Sequence, residues 1–377
     1  MKCRLFLMIS AILMLSVLVV IPHNVLAITG VCSDCHTMHN SQGGELFEGS
    51  EQPNDQLLIR SGCLGCHGDT GSGITSLRRE DGTPLVYASS SNCLAGGNFK
   101  WIEDGGNPDG NRRGHNVDVD PINESHKSDD LINTDVPGFD GVWGLGSNRL
   151  TCAGSYGCHG KPSKKGDGVT IYDNWAGIKG AHHSNKRGQI TFSDLDMGDP
   201  NDVGGSYRFL LGIAGYEDPN YEEFVSETRH NVYKGANIST PSDEAESTIS
   251  ALCARCHGYF HYDGDIGGRP GTVNTTGSPW LRHPTDIDLP PGEYQDYGGT
   301  AHQYNVTAPL GMTVIPTGPN NIVDPTGNTD DIVTCLSCHR AHASEHNDIL
   351  RWDYDAIIAG GANSGGCFIC HTDKNGT

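Results

Sequence analysis

The sequence contains the pattern Cys-x-x-Cys-His five times, and this repetition limits what the chain can fold around. The copies begin at Cys32, Cys63, Cys253, Cys335 and Cys367. In this pattern two thiols add across the two vinyl groups of one haem, and the histidine that follows binds the iron. The sequence therefore predicts a covalently bound c-type haem at each copy.

Two other uses of paired cysteines explain the pattern less well. Zinc fingers combine one cysteine pair with a distant second pair of ligands, whereas each pair here is followed directly by its own histidine. Disulfides within Cys-x-x-Cys pairs would cross-link a chain of 377 residues poorly. The predicted haem attachment residues are Cys32, Cys35, Cys63, Cys66, Cys253, Cys256, Cys335, Cys338, Cys367 and Cys370, and the predicted iron ligands that follow them are His36, His67, His257, His339 and His371.

A sixth motif is irregular, with five residues between Cys152 and Cys158, which His159 follows directly. Lengthening a short loop costs little closure entropy, and Gly154 and Gly157 make the detour sterically accessible. We predict a sixth haem here, with a disulfide or two free thiols as the alternatives. Six haems would use twelve of the thirteen cysteines that follow residue 27, so the predicted cofactor content is about six covalent c-type haems.

The second ligand of each iron decides between electron transfer and catalysis, so the remaining histidines matter. The candidates are His39, His115, His182, His183, His261, His283 and His342, with His126, His230, His302 and His346 in reserve. The chain has only six methionines, three of which fall in the first fourteen residues. We therefore expect bis-histidine haems of low reduction potential, although the sequence leaves open which histidine serves which haem.

The composition argues against a large apolar core. Only 36% of the residues are hydrophobic, and 51 glycines and 19 prolines interrupt most segments. We predict a mostly irregular, haem-wrapped multihaem cytochrome c fold with a few short α-helices and very little β-structure. The predicted elements are helices at 55–60, 240–256 and 353–359 and one strand at 206–213. A formal net charge of −21 excludes nucleic acid as a partner.

The N-terminus has the pattern of a secretory signal. Lys2 and Arg4 precede an apolar run over 5–21, and a small-residue cleavage site ends at Ala27. A membrane anchor is the alternative, but the run is short for a span. We expect a signal peptide at 1–27 and a single hexahaem cytochrome c domain at 28–377, with no transmembrane span after cleavage. The expected location is extracellular or on the outer-membrane surface, with the periplasm as the alternative.

Four segments carry a more specific resemblance. They are Gly-Val-Cys-Ser-Asp-Cys-His-Thr-Met-His-Asn-Ser at 30–41, Arg-Gly-His-Asn at 113–116, Leu-Arg-His-Pro at 281–284 and Cys-Leu-Ser-Cys-His-Arg-Ala-His-Ala-Ser at 335–344. These segments resemble the hexahaem outer-surface cytochromes of metal-reducing bacteria, of the outer-membrane cytochrome S type, which polymerise into extracellular nanowires. The resemblance covers motif order and haem count.

That resemblance implies bis-histidine haems stacked in a continuous chain and electron transfer to extracellular acceptors such as metal oxides, or to other redox proteins. It also implies a homopolymer in which His39 ligates a haem of the neighbouring subunit. The third motif departs from the family pattern because it lacks a nearby second histidine, and His182 or His183 is the expected substitute.

Three functions are consistent with these motifs. An electron conduit needs closely spaced haems and no vacant iron, and it is the function we expect. A multihaem reductase of nitrite or hydroxylamine would need one open or lysine-bound iron, but no Cys-x-x-Cys-Lys motif occurs. A structural filament differs from the conduit only in whether its potentials permit electron flow. The chain is therefore expected to be an electron-transfer protein and not an enzyme.

Overall fold

The attachment motifs lie on separate short elements joined by irregular segments. The computed structural model describes residues 41–42, 45–46, 63–68, 84–88, 94, 96–104, 112–117, 136–137, 150–160, 189–190, 206–218, 225–237, 247–257, 283, 285–289, 297, 303–318, 323, 331–359 and 365–371. The predicted signal peptide, the first motif and the helix predicted at 55–60 lie outside these residues.

The helices are short, and most belong to attachment motifs. They are α1 (Leu64–His67), α2 (Lys100–Asp104), α3 (Ile249–Ala254) and α4 (Cys335–Cys338), with 3₁₀ turns at Tyr207–Phe209, Asn347–Ile349 and Gly366–Ile369. Helices of this length are not stable alone, so their stability comes from packing. No helix in the described part of the chain is long and apolar enough to cross a membrane.

The strands are two or three residues long. They are β1 (Ser41–Gln42), β2 (Glu45–Leu46), β3 (Thr151–Ala153), β4 (Gly157–His159), β5 (Gln189–Ile190), β6 (Gly215–Tyr216), β7 (Val232–Tyr233), β8 (Ile287–Asp288), β9 (Gly311–Met312) and β10 (Asp331–Val333). Three sheets are antiparallel, in the orders β1-β2, β5-β6-β7 and β8-β10-β9, while β3 and β4 pair in parallel. The predicted fold class, mostly irregular with a few short helices and very little β-structure, is confirmed.

The apolar core is divided into small clusters. One joins α3 to α4 through Ile249 and Leu336, which pack with Tyr207 and Tyr233. Another surrounds the β8-β10-β9 sheet and includes the fully buried Tyr297. Because each cluster is small, apolar burial within any one of them stabilises the fold only modestly.

Three predicted elements differ from the structure. Residues 206–213 do not form a strand, because Arg208 and Phe209 adopt positive φ angles of 48° and 59° and turn the chain. This turn directs Tyr207, Leu210 and Ile213, spaced three residues apart, into one apolar cluster. The two-residue alternation of a strand would not do so.

The helix predicted at 240–256 is only partly described: residues 240–246 lie outside the described part of the chain, and the described helix spans Ile249–Ala254. It begins at Ile249, because the Thr248 hydroxyl caps it by accepting a hydrogen bond of 3.1 Å from the Ala251 N–H. The helix predicted at 353–359 is wrong. The Asp353 carboxylate accepts a hydrogen bond from the Asp355 N–H, which favours a turn, and Tyr354 and Ile358 are exposed.

Candidate functional site

Each described Cys-x-x-Cys-His motif forms one helical turn. The histidine N–H donates to the carbonyl of the first cysteine at 2.9 Å in the Cys63 motif, 3.0 Å in the Cys253 and Cys335 motifs and 2.9 Å in the Cys367 motif. Residues i, i+3 and i+4 of a helix lie on one face. The turn therefore holds the two attachment cysteines and the iron ligand on the same side of the backbone.

A backbone carbonyl orients the imidazole of four motif histidines. The Nδ1 atom is bonded to the Pro84 carbonyl in His67 (2.8 Å), the Pro137 carbonyl in His257 (2.6 Å), the Arg208 carbonyl in His159 (2.9 Å) and the Asp348 carbonyl in His339 (2.8 Å). Because a carbonyl only accepts hydrogen bonds, Nδ1 carries the proton. The lone pair is then on Nε2, which is free to bind a metal while the carbonyl holds the Nδ1–H, as in other metal-ligating histidines.

The irregular third motif uses a β-arch in place of a helical turn. Parallel pairing of β3 with β4 sets Thr151 opposite Gly157, and the Gly157 N–H donates to the Gly154 carbonyl at 3.1 Å. Cys152 lies on β3 and Cys158 on β4, and neither is in a disulfide bond. The motif histidine, His159, nevertheless has the same Nδ1–carbonyl bond as its counterparts.

Three motif histidines face a second histidine from a distant part of the chain. The ring centres are 6.2 Å apart for His257 and His115, 6.2 Å for His159 and His342, and 6.0 Å for His371 and His283. Two imidazoles that bind one metal ion from opposite sides, with metal–nitrogen bonds of about 2 Å, have ring centres about 6 Å apart. The three pairs therefore have the spacing of bis-histidine iron sites.

The environment keeps the two most buried partners of these pairs neutral. Burial, followed by the charge of His257, lowers the pKa of His115 to about 4. Burial, followed by the charges of His159 and Arg208, lowers the pKa of His342 to about 3. Both imidazoles are therefore uncharged at neutral pH, and the neutral form is the one that ligates iron. The donor set and spacing fit haem.

The comparisons with known proteins agree with this chemistry. A family model described as a doubled CXXCH motif matches residues 328–376. The C-type cytochrome OmcS of Geobacter sulfurreducens is 25% identical over 391 residues, which cover 91% of this chain and 83% of that protein. This chain is therefore similar to the OmcS-type multihaem cytochromes. It binds haem covalently through its Cys-x-x-Cys-His motifs.

Two solved structures of OmcS are also similar to this chain. The outer-membrane cytochrome S filament from G. sulfurreducens has a TM-score of 0.48 at 19% identity, with 91% of this chain and 88% of that chain covered. The OmcS nanowire structure determined by cryo-electron microscopy has a TM-score of 0.45 at 21% identity, with 88% and 86% covered.

The thiols of motifs that follow one another in the sequence lie side by side. Hydrogen bonds join Cys63 of the second motif to Cys152 of the third, and Cys253 of the fourth to Cys335 of the fifth. These bonds raise the pKa of Cys152 and of Cys253 well above the usual value. Motifs that are consecutive in the sequence therefore have attachment cysteines that are also neighbours in space.

The third and fourth motifs, and the fifth and sixth motifs, are neighbours in the same way. The charge of Cys158 in the third motif raises the pKa of Cys253 in the fourth, in addition to the larger effects of its Cys335 bond and burial. Burial, followed by the charge of Cys367 in the sixth motif, raises the pKa of Cys338 in the fifth to about 12. The described motifs therefore form a series from the second to the sixth.

Several predicted ligands cannot be placed. Cys32, Cys35, His36, His39, His182, His183 and His261 lie outside the described residues, as does the side chain of Cys66. The sequence suggested His182 or His183 for the third motif, whereas the ring that the structure places against His159 is His342.

The structure also identifies positions that the sequence analysis did not select. His230, which was held in reserve, is fully buried, stacks on Tyr304 at 3.7 Å and has its Nδ1 bonded to the Ser226 carbonyl at 3.0 Å. That bond matches the one made by the motif histidines, so His230 remains a ligand candidate. The carbonyl acceptors, such as those of Pro84 and Pro137, carry no side-chain signal that a sequence could show.

Proposed function

We propose that this chain is an exported electron conduit with six covalent c-type haems, each ligated by two histidines. The observation that carries the proposal is the set of three histidine pairs with ring centres 6.0 to 6.2 Å apart. An iron with two strong ligands has no open position for a substrate, so such a haem accepts and donates electrons without binding one.

The proposed haem ligands follow from the motifs and the pairs. Cys152, Cys158 and His159 would hold the third haem with His342, and Cys253, Cys256 and His257 would hold the fourth with His115. Cys367, Cys370 and His371 would hold the sixth with His283. The bound haem supplies the reversible one-electron chemistry, while the protein supplies ligands, spacing and charge.

The haems are proposed to follow one another in the order of their motifs. The thiol contacts between Cys63 and Cys152 and between Cys253 and Cys335 support this order, because thioether-bearing edges of neighbouring haems would then be adjacent. Electrons would move stepwise along the series. The terminal acceptors proposed are extracellular metal oxides or other redox proteins, and the similarity to OmcS supports an extracellular location.

A filament is the proposed assembly. The similar solved structures are of OmcS filaments, and His39 would supply a ligand to a haem of the next subunit.

The test is an electron paramagnetic resonance spectrum of the oxidised, fully matured protein, with spins integrated against total iron. We expect six low-spin centres and an intact mass with six haems. A stoichiometric high-spin signal that shifts with nitrite or hydroxylamine would refute the conduit and favour a reductase with one open iron.

A pair of variants localises the result. His342→Ala is expected to convert one low-spin centre to high spin while six haems remain attached, because the third haem loses its second ligand. His346→Ala is the matched control, since His346 contacts Glu345 at 3.4 Å near the surface and pairs with no motif histidine among the described residues. Unchanged low-spin signals in His342→Ala would contradict the assigned ligand.

A further inference from the structure

Two turns of the same geometry lie against two motif histidines. The 3₁₀ turns Tyr207–Phe209 and Asn347–Ile349 each contain two successive non-glycine residues with positive φ. The angles are 48° and 59° at Arg208 and Phe209, and 58° at both Asp348 and Ile349. This conformation is unfavourable for residues with a Cβ, and a β-branched residue such as isoleucine is rarely found in it.

Both turns make the same pair of bonds to an attachment motif. The Arg208 carbonyl accepts from His159 Nδ1 at 2.9 Å, and the Phe209 carbonyl accepts from the Gly160 N–H at 2.5 Å. In the other turn, the Asp348 carbonyl accepts from His339 Nδ1 at 2.8 Å, and the Ile349 carbonyl from the Arg340 N–H at 2.8 Å. The left-handed backbone thus presents two successive carbonyls to an iron ligand and the residue after it.

The first residue of this left-handed pair carries opposite charges in the two turns. The Arg208 guanidinium lies 3.4 Å from the carboxylate of Glu217, which is only 4% exposed, while Arg208 is 22% exposed. Asp348 is bonded to Arg112 at 3.2 Å on the surface, where the two side chains are 62% and 56% exposed. Solvent therefore screens the charge of Arg208, beside the third motif, less than the charge of Asp348, beside the fifth.

Each charge is carried by the residue whose backbone carbonyl holds the iron ligand. The Arg208 carbonyl lies 2.9 Å from His159 Nδ1, and the Asp348 carbonyl lies 2.8 Å from His339 Nδ1. Both charged side chains are therefore attached directly beside a proposed haem site. A positive charge favours the reduced form of a nearby metal site, because reduction adds one electron and so one negative charge. A negative charge favours the oxidised form for the same reason.

We propose that Arg208 and Asp348 are positioning residues whose carbonyls fix the imidazoles of His159 and His339 and whose side chains shift the reduction potentials of the third and fifth haems in opposite directions. Arg208 raises the potential of the third haem, and its ion pair with Glu217 limits that increase. Asp348 lowers the potential of the fifth haem. This inference rests on the proposed function, because it requires haems at both motifs.

The experiment is a potentiometric titration of the matured protein, followed by electron paramagnetic resonance, on charge variants of the buried pair. Arg208→Gln should make reduction of one haem about tenfold less favourable, which is a downward shift of about 59 mV for one electron. Glu217→Gln should shift the same haem upward. The double variant should lie near the wild type, because both charges are then absent.

Two further variants separate charge from structure. Arg208→Lys keeps the positive charge on the same backbone and should leave all potentials near those of the wild type. Asp348→Asn suits a left-handed backbone and should raise the potential of a different haem by less than tenfold, because solvent screens the exposed carboxylate. If Arg208→Gln does not mature, the inference is tested by the upward shift expected in Glu217→Gln and the unchanged potentials expected in Arg208→Lys.

Failure of the inference and failure of the proposed function give different results. Six attached haems with unmoved potentials, or shifts of the same sign in Arg208→Gln and Glu217→Gln, would overturn only the inference. A wild-type mass with no haem on Cys158 would overturn the proposed third haem and, with it, the role of Arg208.

Discussion

Gly157 shows how a single residue controls an attachment site. A Cβ at this position would lie 2.6 Å from the Ala153 nitrogen and 2.7 Å from its Cα. Both are backbone atoms and cannot rotate away as a flexible side chain could. The arch between β3 and β4, which carries the two cysteines of the third motif, is therefore compatible with glycine and not with alanine at this position.

The variant Gly157→Ala is accordingly expected to lose the third haem or one of its thioether bonds. The intact mass of the matured protein measures haem number, and peptide mapping identifies the cysteine that stays unmodified. Gly318→Ala is the matched control, because nothing lies within 4 Å of a Cβ built there. A Gly157→Ala protein with six haems and both thioethers on the third motif would contradict the steric explanation.

At the scale of secondary-structure elements, α3 depends on the buried residue Thr248. Its hydroxyl accepts from the Ala251 N–H at 3.1 Å and donates to the Asp286 carboxylate at 3.0 Å. Both Thr248 and Asp286 are fully buried. One hydroxyl therefore caps the helix that begins the fourth motif and also gives a buried carboxylate a hydrogen-bond donor.

Replacing Thr248 by valine, which has the same shape, should lower the free energy of unfolding by about 2 kcal/mol or more. Loss of a helix cap costs about 1 kcal/mol, and a buried acceptor left without its donor costs about 1–3 kcal/mol. Thermal unfolding followed by circular dichroism measures the change, with Thr248→Ser as the control that retains the hydroxyl. Equal midpoints for the two variants would show that the hydroxyl contributes nothing.

At the scale of the whole molecule, the described core consists of separate small apolar clusters. The cluster around Ile249 and the cluster around Tyr297 each hold only a few buried side chains. Small cores bury too little apolar surface to offset the conformational entropy lost on folding. Haem attached at several motifs would supply the missing buried surface and would cross-link segments far apart in sequence.

The chain produced without haem attachment should therefore be largely unfolded. We expect fast amide hydrogen exchange at Ile213 and Ile332, which are fully buried in the structure, and slow exchange at the same amides in the matured protein. Cooperative unfolding of the haem-free chain would contradict a structural role for haem.

The proposed filament gives a separate prediction. His39→Ala should prevent fibre formation and leave six haems attached, because the lost ligand is proposed to act across the subunit boundary. Electron microscopy and intact mass measure the two properties. Asn40→Ala is the neighbouring control. Normal fibres from His39→Ala would rule out the intersubunit ligand.

The local pattern of the sequence was enough to predict haem attachment. The spacing within Cys-x-x-Cys-His acts over one helical turn, so the cysteines, the motif histidine and the resulting fold class could be predicted from local pattern. Helix limits were less predictable, because the cap at Thr248 depends on contacts with the distant Asp286.

Which distant histidine faces which motif depends on the folded chain and could not be read from the sequence. His342 follows His339 by three residues, yet its ring pairs with His159. The reason is long-range backbone contact: the His342 N–H donates to the Gly96 carbonyl at 2.6 Å, and Ala343 bridges to Gly114. The charge of Arg208 beside the third motif has the same origin, since a left-handed turn far along the chain brings it there. Such pairings arise from the folded backbone, and local spacing contains no information about them.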